Sequence, residues 1–212
     1  MKPESQAAPR CPLCGEAASQ DIQPHPDFTS SKVWRCDRCD HWFGAPAPGP
    51  AEIAAYYQGH YGARRTWVSS RPYLAVMRRR ARAQAKFIDP RHRHIRTAID
   101  IGCGVGALVA ELSRRQVAAV GYDSDAAAIA IGRSVFRTDV HQGHVETAAP
   151  GRTWDILCLS HVVEHFANPV PDLRALLNFV RPGGFVFVEV PHCSSGMFSR
   201  CVPTDSHLSF FT

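Results

Sequence analysis

With 212 residues, a 45% hydrophobic composition and a formal net charge of +5, the chain is long enough to bury one domain-sized core plus a small appendage. No run of eighteen apolar residues occurs, which excludes a membrane-spanning helix, and Met1-Lys-Pro-Glu-Ser-Gln6 reads as neither a signal peptide nor an amphipathic presequence. A cytoplasmic protein without a membrane partner is expected, and its eight cysteines then need a reading other than secretion.

Cys11-Pro-Leu-Cys14 and Cys36-Asp-Arg-Cys39 stand 21 residues apart. A tight turn within each pair points two thiolates at one tetrahedral ion, so Cys11, Cys14, Cys36 and Cys39 are expected to hold a single zinc. Disulfides are the alternative. His25 and His41 are possible substitute ligands, although surface positions suit both better. A segment of about forty residues with few aliphatics cannot build a core unaided, so the metal would supply its folding energy in a structural role. Cys103, Cys158, Cys193 and Cys201 lack pair spacing; Cys158 and Cys103 also suit small packing positions.

Gly44-Ala-Pro-Ala-Pro-Gly-Pro50 reads as a linker, because Pro and Gly disfavour helix and sheet interiors. The sequence Ala51-Glu-Ile-Ala-Ala-Tyr-Tyr57, with His60 and Tyr61, predicts a short helix carrying aromatics. Residues 60–96 hold eleven Lys and Arg against one acid, Asp89. A helix is predicted from Tyr73 to Phe87, with Leu74, Met77, Ala81, Ala85 and Ile88 as its buried stripe. Arg78-Arg-Arg80, Arg82 and Lys86 form either a solvated face or a phosphate-contacting patch for RNA or a nucleotide-linked sugar; the solvated face is the simpler reading.

The densest signal follows. Ala98-Ile-Asp-Ile101 is a short apolar strand running into Gly102-Cys-Gly-Val-Gly106 and then a helical segment, Ala107 to Leu112. Such a turn brings backbone N–H groups and a helix N-terminus against a ligand. Its G-x-G-x-G spacing departs from the dinucleotide G-x-G-x-x-G, which argues against a dehydrogenase. A second strand, Val117 to Tyr122, ends in Asp123, placed to accept hydrogen bonds from ribose hydroxyls, with Ser124 beside it. Asp125 suits the N-cap of the next helix. Trp154 to Ser160 reads as a buried strand and Phe185 to Val190 as a further strand, the latter preceded by Arg181-Pro-Gly-Gly184.

These stretches in this order resemble class I S-adenosylmethionine (SAM)-dependent methyltransferases. The resemblance implies an α/β Rossmann-like doubly wound sheet with SAM as cofactor. Asp100 would lie near its methionine end, Gly102, Cys103, Gly104 and Gly106 would form the close-approach turn, and Asp123, Ser124 and Ser160 would line the site. His144 stands where family members often carry an adenine-binding Asp, so the backbone of Val145 is an equal candidate. The two cysteine pairs, the proline linker and the following aromatic helix resemble a branch carrying an N-terminal zinc ribbon, which includes deoxysugar C-methyltransferases and secondary-metabolite enzymes. The expected domains are a ribbon at 1–44, a linker and basic helix at 45–97, and a methyltransferase domain at 98–212.

Ligands bind beyond the carboxyl ends of strands in such sheets, which nominates Ser160, His161, Glu164, His165 and His192 on the acceptor side. His161, Glu164, His165 and His192 are the catalytic candidates. Their grouping is similar to the E-x-x-E-H metal site of small-RNA 2′-O-methyltransferases, with His161 where the first Glu would be. A general base, a divalent ion and a structural loop are the three readings. The expected reaction is methyl transfer to a sugar, glycan precursor or secondary metabolite; RNA as acceptor and a non-catalytic SAM-fold scaffold are the alternatives. The family fold has seven strands and five are counted, so the domain is expected to lack its last strands, His207 to Thr212 to begin another helix, and the exposed edge of the fifth strand to favour self-association.

Overall fold

The computed structural model describes residues 8–18, 20–49, 51–53, 55–56, 68–91, 93–143, 151–192 and 207–211. In chain order they form β1 (Gln20–Pro24), β2 (Lys32–Arg35), β3 (Trp42–Ala45), α1 (Arg71–Ile88), β4 (Thr97–Ile101), α2 (Ala107–Arg114), β5 (Ala118–Asp123), α3 (Ala126–Ile131) and a π-turn (Gly132–Phe136). There follow β6 (Val140–Gln142), β7 (Trp154–Ser160), a 3-10 turn (Val163–His165), α4 (Pro169–Leu176), a second 3-10 turn (Leu177–Phe179), β8 (Val180–Glu189) and β9 (Ser209–Phe210). Two compact units result: Met1–Tyr57 with Val163–Leu173 and Val190–Thr212, and Gln58–Val162 with Arg174–Glu189. The expected boundaries at 44 and 97 therefore do not match these units.

The larger unit carries a parallel sheet of strand order β6-β5-β4-β7-β8. Strand β4 is central because Ala98, Ile99 and Asp100 have no polar-outward alternation, and both of its faces are buried. Leu74, Ala81, Ala85 and Ile88 of α1 join Leu108, Val109 and Leu112 of α2 and Ala98, Ile156 and Cys158 of the sheet in one core. The predicted apolar stripe of α1 is thus present, with Met77 partly buried. Ser70 caps α1 by accepting from the Tyr73 amide, and Asp125 caps α3 by accepting from the amides of Ala127 and Ala128. Arg78, Arg79, Arg82 and Lys86 are exposed, as the solvated-face reading requires. Strand β8 is the sheet's edge among the described residues, with Val186 and Val188 exposed.

Asp155 ties the beginnings of β4 and β7 together. One carboxylate oxygen accepts from the amides of Arg96 at 2.7 Å and Thr97 at 2.8 Å, and the other accepts from Arg181. Burial pulls its pKa upward, but the hydrogen bonds of Arg181, Arg96 and Thr97 prevail and hold it at about 2, below the ordinary 3.8. A depressed carboxylate stabilises the fold above its unfolded pKa, and that stabilisation is lost as pH falls from about 4 through about 2. Asp155→Asn should lower stability at pH 7 by about 1–3 kcal/mol and flatten this acid limb, which urea unfolding at pH 7 and pH 2.5 will read; an unchanged limb would show that Asp155 does not set it.

In the smaller unit, β1, β2 and β3 form an antiparallel meander, and β9 adds to the free side of β3 through Trp42 opposite Phe210 and Phe43 opposite Ser209. The segment expected to begin a helix is therefore a strand. The free side of β3 decides this: an unpaired strand edge takes up the segment, and His207, Leu208, Ser209 and Phe210 are all buried there. One face of the meander packs Phe43, Ala45 and Ala18 around Cys11 and Cys36, while the other packs Val33 and Trp42 against Phe210. Gly44 and Ala45 lie within β3 and not in a linker. A Cβ on Gly44 would meet the His25 ring at 3.1 Å, so the glycine admits that ring. Residues 51–53 and 55–56 are helical, and Tyr56 packs on Phe28 with ring centroids 5.4 Å apart. His60 and Tyr61 lie outside the described residues.

Candidate functional site

The turn after β4 is held mainly by the end of β5. The Gly102 and Cys103 amides donate to the Tyr122 carbonyl at 2.8 and 3.1 Å, and the Gly106 amide donates to the Cys103 carbonyl at 2.9 Å. The Gly104 amide donates to Asp123 at 2.8 Å. These N–H groups are engaged by the end of β5 and by the turn itself, so they do not form the ligand-facing row expected from sequence. The three glycines have φ of +68°, +53° and +68°, a region that side chains disfavour, but only one borders open space. A Cβ on Gly102 would strike Val162 at 2.6 Å and one on Gly106 would strike Thr138 and Val140 at 2.8 Å, whereas nothing lies within 4 Å of one on Gly104. Gly104 is where a bound group can approach the backbone. Cys103 fills the space above Gly121, whose own Cβ would meet its sulfur at 2.7 Å.

Asp123 does more than end a strand. Its two carboxylate oxygens accept from the Gly104 and Asp125 amides, each at 2.8 Å, so it ties the glycine turn to the start of α3 and retains lone pairs for a hydroxyl donor. Burial raises its pKa despite these bonds. Asp100 is 3% exposed, and burial, with the neighbouring charge of Asp123, pushes its pKa up to about 8. Ser124 lies in the bend between β5 and α3, and its carbonyl receives the Gln142 side chain at 3.4 Å. Val145, with His144, falls outside the described residues.

A polar network that the sequence reading missed lies where β7 and β8 end. Ser160 Oγ accepts from Arg80 Nη2 at 2.8 Å and from Gln84 Nε2 at 2.9 Å, and donates to Glu189 Oε2 at 2.9 Å. Arg80 also pairs with Glu189 at 3.2 Å. Burial opposes the Glu189 charge, but Gln84, Arg80 and Ser160 together lower its pKa. The signal was available in α1, where Gln84 shares the helical spacing of Ala81, Ala85 and Ile88; reading only apolar positions hid it. A cavity of about 290 Å³ lined by Arg78, Arg82, Arg114 and Phe136 lies between α1, α2 and the π-turn, and none of the cofactor candidates lines it.

The four cysteines come together as expected. Cys11 and Cys39 sulfurs stand 3.6 Å apart, Cys14 and Cys36 sulfurs 3.5 Å apart, and all four lie within 4.8 Å of one another as free thiols. Around one tetrahedral ion, thiolates at about 2.3 Å sit roughly 3.8 Å from each other, so these distances suit a single metal. Both pairs use the same knuckle. The Cys11 and Cys36 amides donate to Glu16 and His41 carbonyls, the Gly15 and Asp40 amides return to the cysteine carbonyls, and Gly15 and Asp40 both have positive φ. His25 and His41 are buried and not on the surface, and neither belongs to the ligand group. Burial drops the His41 pKa to about 4, and its ring stacks on Phe43.

The four catalytic candidates do not form one cluster. Glu164 and His165 do meet, but their third member is His207, with ligand atoms of all three within 4.8 Å of one another. His161 and His192 are not members. His161 sits just past β7 at φ +56°, its amide donating to the Glu189 carbonyl at 2.8 Å, and His192 is exposed, bridged through its backbone to Phe211. Sequence spacing could not find His207, since it lies just before β9, which only the ribbon sheet positions.

Residues 71–212 match the family described as methyltransferase domain. The ubiquinone biosynthesis O-methyltransferase of Acinetobacter baumannii (strain ACICU) is 32% identical over 97 residues, covering 42% of this chain and 41% of that protein. Its namesake from Sodalis glossinidius (strain morsitans) is 32% identical over 100 residues, covering 43% and 40%. The chain thus spans about two-fifths of the length of these curated relatives. The solved structure titled DhpI-SAM-HEP complex shares the fold with a TM-score of 0.53 at 21% identity, over 73% of each chain. Among the described residues no helix is long and apolar enough to cross a membrane. The family match takes in α1, the parallel sheet and the glycine turn together, and on that match the chain belongs to the class I SAM-dependent methyltransferase family.

Proposed function

We propose that the chain transfers a methyl group from SAM to a small-molecule acceptor of the sugar, glycan-precursor or secondary-metabolite class, and that Cys11, Cys14, Cys36 and Cys39 hold one structural zinc. The observation that carries the reading is the open approach at Gly104, whose amide is held by the half-buried Asp123 with the buried Asp100 close to that carboxylate. Bound SAM supplies a sulfonium-activated methyl carbon for in-line displacement, which leaves the protein to orient the partners and handle the acceptor proton. Asp123 accepts from ribose hydroxyls, Asp100 faces the cationic methionine end, and Ser160 anchors the Arg80 and Glu189 network beside it. His161, at the carboxyl end of β7, is the proton acceptor. A small acceptor is supported by relatives named for O-methylation in ubiquinone biosynthesis. The RNA reading loses ground because Arg80 is engaged by Ser160 and Glu189 and is less exposed than Arg78 and Arg79.

Release of S-adenosylhomocysteine by the purified chain from SAM and a pooled metabolite extract, against total RNA as the second arm, tests this. Turnover with metabolites alone is expected. Turnover with RNA alone would replace the acceptor class, and SAM binding without turnover in either arm would leave a scaffold.

The electrostatics of Asp100 give a second measurement. Its raised pKa means that the ligand-free site keeps a proton between the ordinary carboxylate value of 3.8 and about 8. A cationic ligand favours the carboxylate, so binding expels that proton. SAM affinity is expected to rise with pH up to about 8, and calorimetry at pH 7 in buffers of different ionisation enthalpy should show proton release. Uptake of a proton, or affinity independent of pH, would remove Asp100 from the cationic end.

A further inference from the structure

We propose that Glu164, His165 and His207 form a second metal site, for a divalent transition ion such as zinc or cobalt, distinct from the four cysteines. The inference stands whether or not the methyl-transfer reading holds. One ligand atom from each side chain lies within 4.8 Å of the other two. Nitrogen and oxygen ligands at about 2.0–2.2 Å around a tetrahedral ion stand roughly 3.3–3.6 Å apart, so the three need close by only about 1 Å, which side-chain rotation provides. Glu164 is 0% exposed and His207 is 6% exposed. A carboxylate oxygen and two imidazole nitrogens gathered this closely are a donor set for a divalent ion, and the nitrogen-rich set favours zinc, cobalt or nickel over magnesium or calcium, which take oxygen ligands. Three protein ligands leave a fourth position for water or an exchangeable oxygen donor.

The backbone beneath these side chains is held from several directions. Glu164 and His165 lie in the 3-10 turn Val163–His165. The Leu208 amide donates to the Glu164 carbonyl at 2.8 Å, and the Gly44 amide of β3 donates to the Leu208 carbonyl at 2.9 Å. His25 secures the same segment. Its Nδ1 lies 3.1 and 3.2 Å from the Asp27 and Phe28 amides and accepts from both, which puts the ring proton on Nε2, donated to the His207 carbonyl at 2.8 Å. The rings of His165 and His207 stand edge to face with centroids 5.0 Å apart. The ribbon sheet therefore acts as the support on which the third ligand is carried.

Titrating the metal-free full chain with Co²⁺ separates the two sites. Wild type is expected to take up two equivalents, one giving thiolate-to-cobalt charge transfer and one giving only weaker visible bands of a nitrogen and oxygen site. His165→Ala and His207→Ala should each abolish the second equivalent and keep the first, and Glu164→Gln should weaken it by more than about tenfold, the drop that even a lost supporting hydrogen bond produces. A single equivalent in wild type, or two in all three variants, overturns the proposal. If His207→Ala also loses the thiolate band because its strand detaches, the half-buried His165 decides through its own variant: two equivalents there reject the site and one supports it.

Discussion

Asp123→Ala is expected to weaken SAM binding by about 100-fold, a loss of roughly 2.7 kcal/mol, while leaving the chain folded. Two effects add. The ribose hydroxyls lose a charged acceptor, a bond of about 1.5–3 kcal/mol, and the Gly104 and Asp125 amides lose the carboxylate that fixes the turn. Asp123→Asn should fall between, because an amide offers one accepting oxygen and presents its NH₂ to an amide that needs an acceptor. Calorimetric titration of the three proteins, with thermal unfolding as the control for fold, reads the result. The ligand-free variant should be no less stable than wild type by more than the lost turn bonds, since desolvation disfavours the Asp123 charge, which in turn raises the pKa of Asp100. Equal SAM affinity in wild type and Asp123→Ala would remove Asp123 from the cofactor site.

Removing zinc from the cysteine cluster, by chelation or by Cys36→Ser, is expected to unfold the ribbon sheet. Structural zinc sites contribute on the order of 10–16 kcal/mol in small peptides, comparable to the whole stability of a domain at about 5–15 kcal/mol. The apolar packing nearest the cluster is small, Ala18, Phe43 and Ala45, with Val33, Trp42 and Phe210 on the other face of the sheet and Phe28, Val163 and Leu208 buried elsewhere in the unit. Because β9 pairs with β3 and Leu208 bonds to Gly44 and Glu164, the segment carrying His207 should lose its place at the same time. Hydrogen exchange is the measurement. The amides of Gly44 and Leu208 should lose protection together on chelation, while those of Ile99 and Leu157 in the parallel sheet keep theirs. Continued protection of Gly44 and Leu208 in metal-free protein would show that the ribbon stands on packing alone.

Local chemistry determined much of this protein directly from sequence. An apolar strand that runs into glycines of positive φ, an acid at the end of the next strand and an Asp that caps the following helix recur within a single strand–helix–strand unit, so Gly102 to Gly106, Asp123 and Asp125 were legible before any fold was known. The same holds for the cysteine pairs, whose knuckles close within six residues. What tertiary structure alone decided are pairings across long separations between segments with no shared period. Arg80 and Gln84 meet Ser160 and Glu189 because α1 packs on the sheet beside the ends of β7 and β8. His207 meets Glu164 and His165, in place of the expected His161 and His192, because β3 offered an open strand edge that Ser209 and Phe210 could extend. A strand edge accepts any chain of suitable alternation, so the residue it delivers to a site is set by register in the folded sheet and leaves no spacing to be read in the sequence.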